Sequence, residues 1–163
     1  MTSFRERNII STIWLNFYGQ ARSDDIGLTH EVPYFAAKSP NDKNMETKDI
    51  AKKLVDYCRK ADWDGAHNEL YDKNAVSTEP YATEDFPKET KGLKAIQEKG
   101  KIFDAMVEKI HSIEVSEPLV AGNSIAFTLG MDITMKEKGR MNSPELCVYQ
   151  VKDGKIISEE FFV

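Results

Sequence analysis

Cysteine and histidine are the side chains that most often carry metal or nucleophilic chemistry, and their spacing here supports neither. Cys58 and Cys147 are too few and too far apart for a disulfide framework or a zinc ribbon, and three scattered histidines, His30, His67 and His111, add no ligand spacing. No phosphate-binding loop and no Ser-His-Asp order is visible, so neither a metal nor an organic cofactor is expected. Cys147 reads first as a small buried residue, because no clear basic neighbour would activate its thiol. His111, at the end of the third expected helix, reads as a partner of the last carbonyls and the helix dipole. Met106, Met131, Met135 and Met141, with Phe103 and Phe127, either line an adaptable cavity or form ordinary core. Tyr57, Trp63, Tyr81 and Tyr149 are open to the same two readings.

These residues need elements to position them. The 163 residues allow one domain, and 40% hydrophobic with 30% charged residues suits a globular core. With 22 basic against 27 acidic side chains, no basic field favours nucleic acid or anionic lipid. Residues 1–44 carry five of each sign, so the whole net charge of -5 belongs to residues 45–163. Within 1–44, Ile9, Ile10, Ile13, Trp14, Phe17 and Tyr18 predict a short amphipathic helix followed by a linker. That run is too short to span a membrane, and no signal-peptide cleavage site follows clearly. A cytoplasmic domain over 45–163, behind an N-terminal extension of uncertain standing, is the expectation.

Thr47 is a plausible cap for a helix carrying Ile50, Leu54, Tyr57, Cys58 and Ala61, and Asp62 for a shorter one with Trp63, Ala66 and Leu70, ending near Asn74. An irregular stretch with Pro80 and Pro87 follows. Leu93, Ile96, Gly100, Phe103, Met106 or Val107, and Ile110 step by three or four, predicting a third helix in which Gly100 suggests close backbone approach. The charges from Lys88 to Lys101 are expected on its outer face. From Ser112 the period becomes two, with turns at Gly122, Gly139 and Asp153-Gly154, predicting four antiparallel strands. Helices followed by a meander define an α+β fold whose sheet buries one face against the third helix.

Asp62-Trp63-Asp64-Gly65, Leu70-Tyr71, Asn74-Ala75-Val76, Glu79-Pro80, Gly92 and the run Tyr149 to Ile156 together resemble the SnoaL-like branch of the NTF2-like superfamily. The resemblance implies a cone-shaped barrel of three helices on a curved antiparallel sheet, usually dimeric, with a cavity for an apolar small molecule. Ketosteroid isomerases of this kind place an Asp before a Pro as base, where Glu79 stands before Pro80. Their two oxyanion donors correspond to Leu54 and Cys147, so steroid isomerisation is not expected. Tyr57 lies one turn from the first. Cyclases use a strand acid/base, for which Asp132, Glu145 and His111 are available. Alternation groups Glu145, Cys147 and Tyr149 on the expected cavity face, whereas Asp132 cannot be given a face without the register.

A carboxylate desolvated in an apolar cavity has its pKa raised toward working pH and can move a proton beside a carbonyl. The expected activity is therefore a cofactor-independent cyclase, isomerase or dehydratase with Glu79, Glu145 and Tyr57 as catalytic residues. Trp63, Tyr81, Phe103, Met106, Cys147 and Tyr149 would bind a hydrophobic small molecule. A homodimer is the expected assembly. The alternative is a non-catalytic ligand-binding or dimeric interaction module, and Glu79 locked to a basic side chain would count toward it.

Overall fold

A computed structural model describes residues 44–163. The helix expected over residues 9–18 and its linker lie outside these residues. Helix α1, Thr47–Arg59, buries Ile50, Ala51, Leu54, Val55 and Cys58 on one stripe. Its cap residue is Glu46, without a side-chain bond, so Thr47 is the first helical residue rather than the cap. Ala61 takes a positive φ of 54°, its N–H donates to the Cys58 carbonyl, and the Asp62 N–H donates to the Tyr57 carbonyl. This pair of hydrogen bonds ends α1 in a Schellman turn. Asp62 then starts α2, Trp63–Leu70, by accepting from the Gly65 N–H at 2.9 Å.

α2 ends at Leu70, not near Asn74, and the chain passes directly into β1, Tyr71–Thr78. After β2, Glu89–Lys91, Gly92 at φ 90° opens α3, Leu93–Met106. That helix stops four residues before Ile110, because β3, Val107–Val115, begins at once. His111 consequently lies on a strand, not at a helix end. The short β4, Leu119–Ala121, precedes β5, Ser124–Met135, β6, Gly139–Lys152, and β7, Lys155–Phe162.

The sheet runs β2-β1-β7-β6-β5-β3, with β4 also paired to β5. It is mixed rather than antiparallel throughout: β1 and β7 are parallel, joining the first strand to the last. Register shifts in the β1/β7, β3/β5 and β6/β7 pairs bend it. The three helices of the described residues pack with this open, curved sheet as an α+β cone. Ile125, Phe127, Leu129, Ile133 and Met135 alternate inward on β5, facing Cys147, Tyr149 and Val151 of β6. Phe127 stacks on Tyr149 at 5.4 Å between ring centroids. Among the described residues, no helix is long and apolar enough to cross a membrane.

Candidate active site

A cavity of about 410 Å³ opens between the helices and the concave face of the sheet. Its wall includes seven of the nine residues expected at the site: Glu79, Glu145, Trp63, Tyr81, Phe103, Met106 and Tyr149. Tyr57 and Cys147 are not among its lining residues. Tyr57 lies on a different face of α1 and donates its hydroxyl to Glu69 of α2, a carboxylate that also pairs with Lys53. That bond diverts the phenol from any substrate in the cavity. Cys147 is fully buried beneath the wall, where its Sγ donates to Glu145 Oε1 at 3.6 Å. Burial drives the Cys147 thiol well above its ordinary range, so it is an inert support rather than a contact.

The polar part of the wall is built by strand register. Ser77 on β1 stands beside Glu159 on β7, which stands beside Tyr149 on β6. Glu159 is 5% exposed and accepts the hydroxyl of Tyr71. Two residues on from Ser77, just past the end of β1, lies Glu79. Lys99 reaches both from α3: its Nζ donates to Ser77 Oγ at 2.5 Å and to Glu79 Oε1 at 2.6 Å. The ammonium also sits 5.6 Å from the centroid of the Phe161 ring. With side chains only 14% and 23% exposed, Lys99 and Glu79 form a sheltered ion pair. Glu79 is therefore inside the cavity as expected, but locked to a cation, which removes it as a free proton shuttle.

Among the described residues, Glu145 has no such partner, and its hydrogen bond there comes from the weakly donating Cys147 thiol. Burial is the main cause that pushes its carboxyl up to about 7, assisted by the charges of Glu79 and Glu159 and opposed by the thiol bond and Lys99. A group with this pKa exchanges protons readily at neutral pH. His67 on α2 also lines the cavity, and burial pulls its imidazole below the ordinary range. The Tyr71 ring packs edge-on against it at 4.9 Å between centroids.

The register settles Asp132, which pairs with Asn142 and does not line the cavity. Arg140 grips its carboxylate in a fork, at 2.8 and 2.6 Å, and holds it below the usual carboxylate range. His111 is likewise absent from the cavity wall and meets Thr134 Oγ1 at 2.8 Å. Among the described residues, no group of three His, Cys, Asp or Glu side chains is placed to hold a metal ion.

Lys99, Ser77, Glu159, Tyr71 and His67 escape a reading of the sequence. Lys99 left a signal, since it follows Ile96 by three and precedes Phe103 by four, which puts it on the inner stripe rather than on the outer charged face. Gly100 lies there too, but a Cβ built on it meets nothing within 4 Å. It opens space in the cavity and makes no close backbone contact.

Comparison with known proteins agrees with this architecture. The family model of the SnoaL-like domain matches residues 45–163. A candidate SnoaL-like polyketide cyclase from Mesorhizobium loti is 27% identical, with a TM-score of 0.68 over 73% of this chain and 100% of that one. A candidate isomerase from Bacillus subtilis is 25% identical, with a TM-score of 0.57 over 72% of this chain and 88% of that one. An NTF2-like protein of unknown function from Burkholderia pseudomallei, 11% identical, shares the fold at a TM-score of 0.59, over 72% of this chain and 91% of that one. Among curated proteins no match is found.

Proposed function

The chain belongs to the SnoaL-like domain family, and from that premise we propose that it is a cofactor-independent acid/base enzyme acting on a hydrophobic carbonyl compound. The observation that carries this reading is Glu145: a half-buried carboxyl on the cavity wall, with no ion-pair partner among the described residues, whose desolvation raises its pKa to about 7. In its ionised form Glu145 takes a proton from the carbon next to the ligand carbonyl. The C–H electron pair moves into an enolate, and the negative charge rests on the oxygen. Where the enolate is conjugated with a C=C bond, returning the proton from Glu145 to the far carbon of the dienolate completes an isomerisation; return to the original carbon gives exchange only. Attack of the enolate carbon on a second carbonyl of the same molecule would close a ring, with that carbonyl's π pair moving to its oxygen and the proton held by Glu145 passing to the resulting alkoxide. Glu79 serves in this reading as the anchor of Lys99, not as the base.

Ion pairing and hydrogen bonding commit Glu79 and Glu159 of the cavity wall, and this favours a second reading as a binding module. Deuterium uptake separates the two. 2-Tetralone, an apolar ketone with acidic α-protons, is incubated with the protein in heavy water and followed by proton NMR, with binding monitored by thermal shift. The enzyme reading expects catalysed exchange that Glu145→Gln abolishes while the thermal shift persists. Binding without exchange in either protein would establish the module.

A further inference from the structure

Formation of an enolate needs an electrophile as well as a base, and the two donor positions of related isomerases hold Leu54 and Cys147. Neither can fill that role: one has no polar atom and the other is buried beneath the wall on Glu145. Among the described cavity-lining residues, the lysines are Lys99 and Lys138, and burial shifts His67 away from its cationic form. Lys138 lies exposed in the turn between β5 and β6. Lys99 is different. Ser77 and Glu79 engage two of its three N–H groups, and Phe161 lies alongside. The third N–H has no partner among the described residues.

We infer that Lys99 is the oxyanion-binding residue of this cavity, held by Ser77 and Glu79 so that its remaining N–H meets the ligand's carbonyl oxygen. This inference rests on the acid/base reading of the same site. The pair with Glu79 does not cancel the function. It fixes the ammonium in advance, and a donor that need not reorganise gives most of its stabilisation to the charge that develops. Ser77, fully buried, provides the second fixed point. The ligand class narrows accordingly: one end presents an enolisable carbonyl to Lys99 and Glu145, and the remainder is apolar.

The test uses 4-nitrophenol above its own pKa as a stable enolate mimic, and 4-nitrotoluene as a neutral mimic of the same shape. Binding of both is measured to the full chain and to Lys99→Met/Glu79→Gln, which removes the ion pair without changing net charge. The expected result is a loss of about tenfold or more in phenolate affinity, the size of one charge-assisted hydrogen bond, with nitrotoluene affinity held within about twofold. Glu79→Gln alone should keep the preference for phenolate over nitrotoluene, since Lys99 and its contact with Ser77 remain. Parallel loss of both probes in the double variant, no loss of either, or an original protein that shows no preference for phenolate would each overturn the assignment. If the double variant does not fold, Glu79→Gln decides, because loss of the phenolate preference there, with the lysine still present, would overturn the assignment. Glu145→Gln should retain the phenolate preference. A protein that prefers phenolate yet exchanges no α-protons would defeat the role of Glu145 and leave the Lys99 site standing.

Discussion

Glu145 is in a position that helps chemistry and costs stability. Its carboxyl rises from 4.5 to about 7 on folding, mainly through burial, so the native state keeps the proton at pH values where the unfolded chain has released it. The contribution of this group to stability is therefore fully present below about pH 4.5 and is lost as pH rises through about 7. The shift corresponds to a penalty on the order of 3 kcal/mol for ionised Glu145. Glu145→Gln should raise the melting temperature at pH 8 and leave it nearly unchanged at pH 4, while α-proton exchange falls by roughly 10² to 10⁴. A variant that loses exchange without this pH-dependent gain would place the ionised carboxylate in a better solvated environment. Exchange itself should rise with pH through about 7 as the base form of Glu145 accumulates. Tyr57→Phe gives a contrasting outcome: the hydroxyl serves Glu69 away from the cavity, so affinity for 2-tetralone should not change in a titration.

At the scale of elements, the turn from α1 to α2 depends on one missing side chain. A Cβ on Gly65 would come within 2.5 Å of Asp62 Oδ2 and 2.6 Å of Tyr57 Cε1. Alanine normally favours a helix interior over glycine, but Gly65→Ala must displace the Asp62 cap or the Tyr57 ring. A net loss of about 1 to 2 kcal/mol is expected from the urea midpoint, and an unchanged midpoint would show that the cap yields freely. Asp62 capping α2 was legible in the chain, as were the turns at Gly122, Gly139 and Asp153-Gly154, because each leaves a residue signature. The junctions Leu70/Tyr71 and Met106/Val107 were not, since helix becomes strand there without glycine or proline, and apolar residues continue at helical spacing as far as Ile110. β1 was hidden for this reason. Glu159 was hidden by a bulge: Val151 pairs with Ile156 but Gln150 pairs with Ser158. Simple alternation from Ile156 would turn Glu160 and Phe162 inward, whereas the shift buries Glu159 and leaves Phe162 45% exposed. Glu145 and Tyr149 were found because β6 keeps its alternation between them.

Considered as one molecule, the described domain leaves apolar surface outside and empty space inside. Leu146, 41% exposed, pairs with Phe162 across the outer face of β6 and β7. If this is the surface of the expected homodimer, Leu146→Glu should convert dimer to monomer in sedimentation, and an unchanged mass would place any interface elsewhere. The interior holds a residue that stability alone would not choose. Gly100 lies inside α3, where glycine costs about 1 kcal/mol relative to alanine, and a Cβ there would meet nothing within 4 Å. No steric need keeps a larger side chain out, yet the position lines the cavity beside Lys99. Space for a ligand is the physical reason that remains. Gly100→Ala should therefore raise stability by about 1 kcal/mol with little effect on ligand affinity. Gly100→Phe should fill part of the cavity and weaken 2-tetralone binding by about tenfold or more without lowering the melting temperature. Stability unchanged and binding lost would make the cavity a ligand site, whereas binding retained in Gly100→Phe would show that the ligand sits elsewhere.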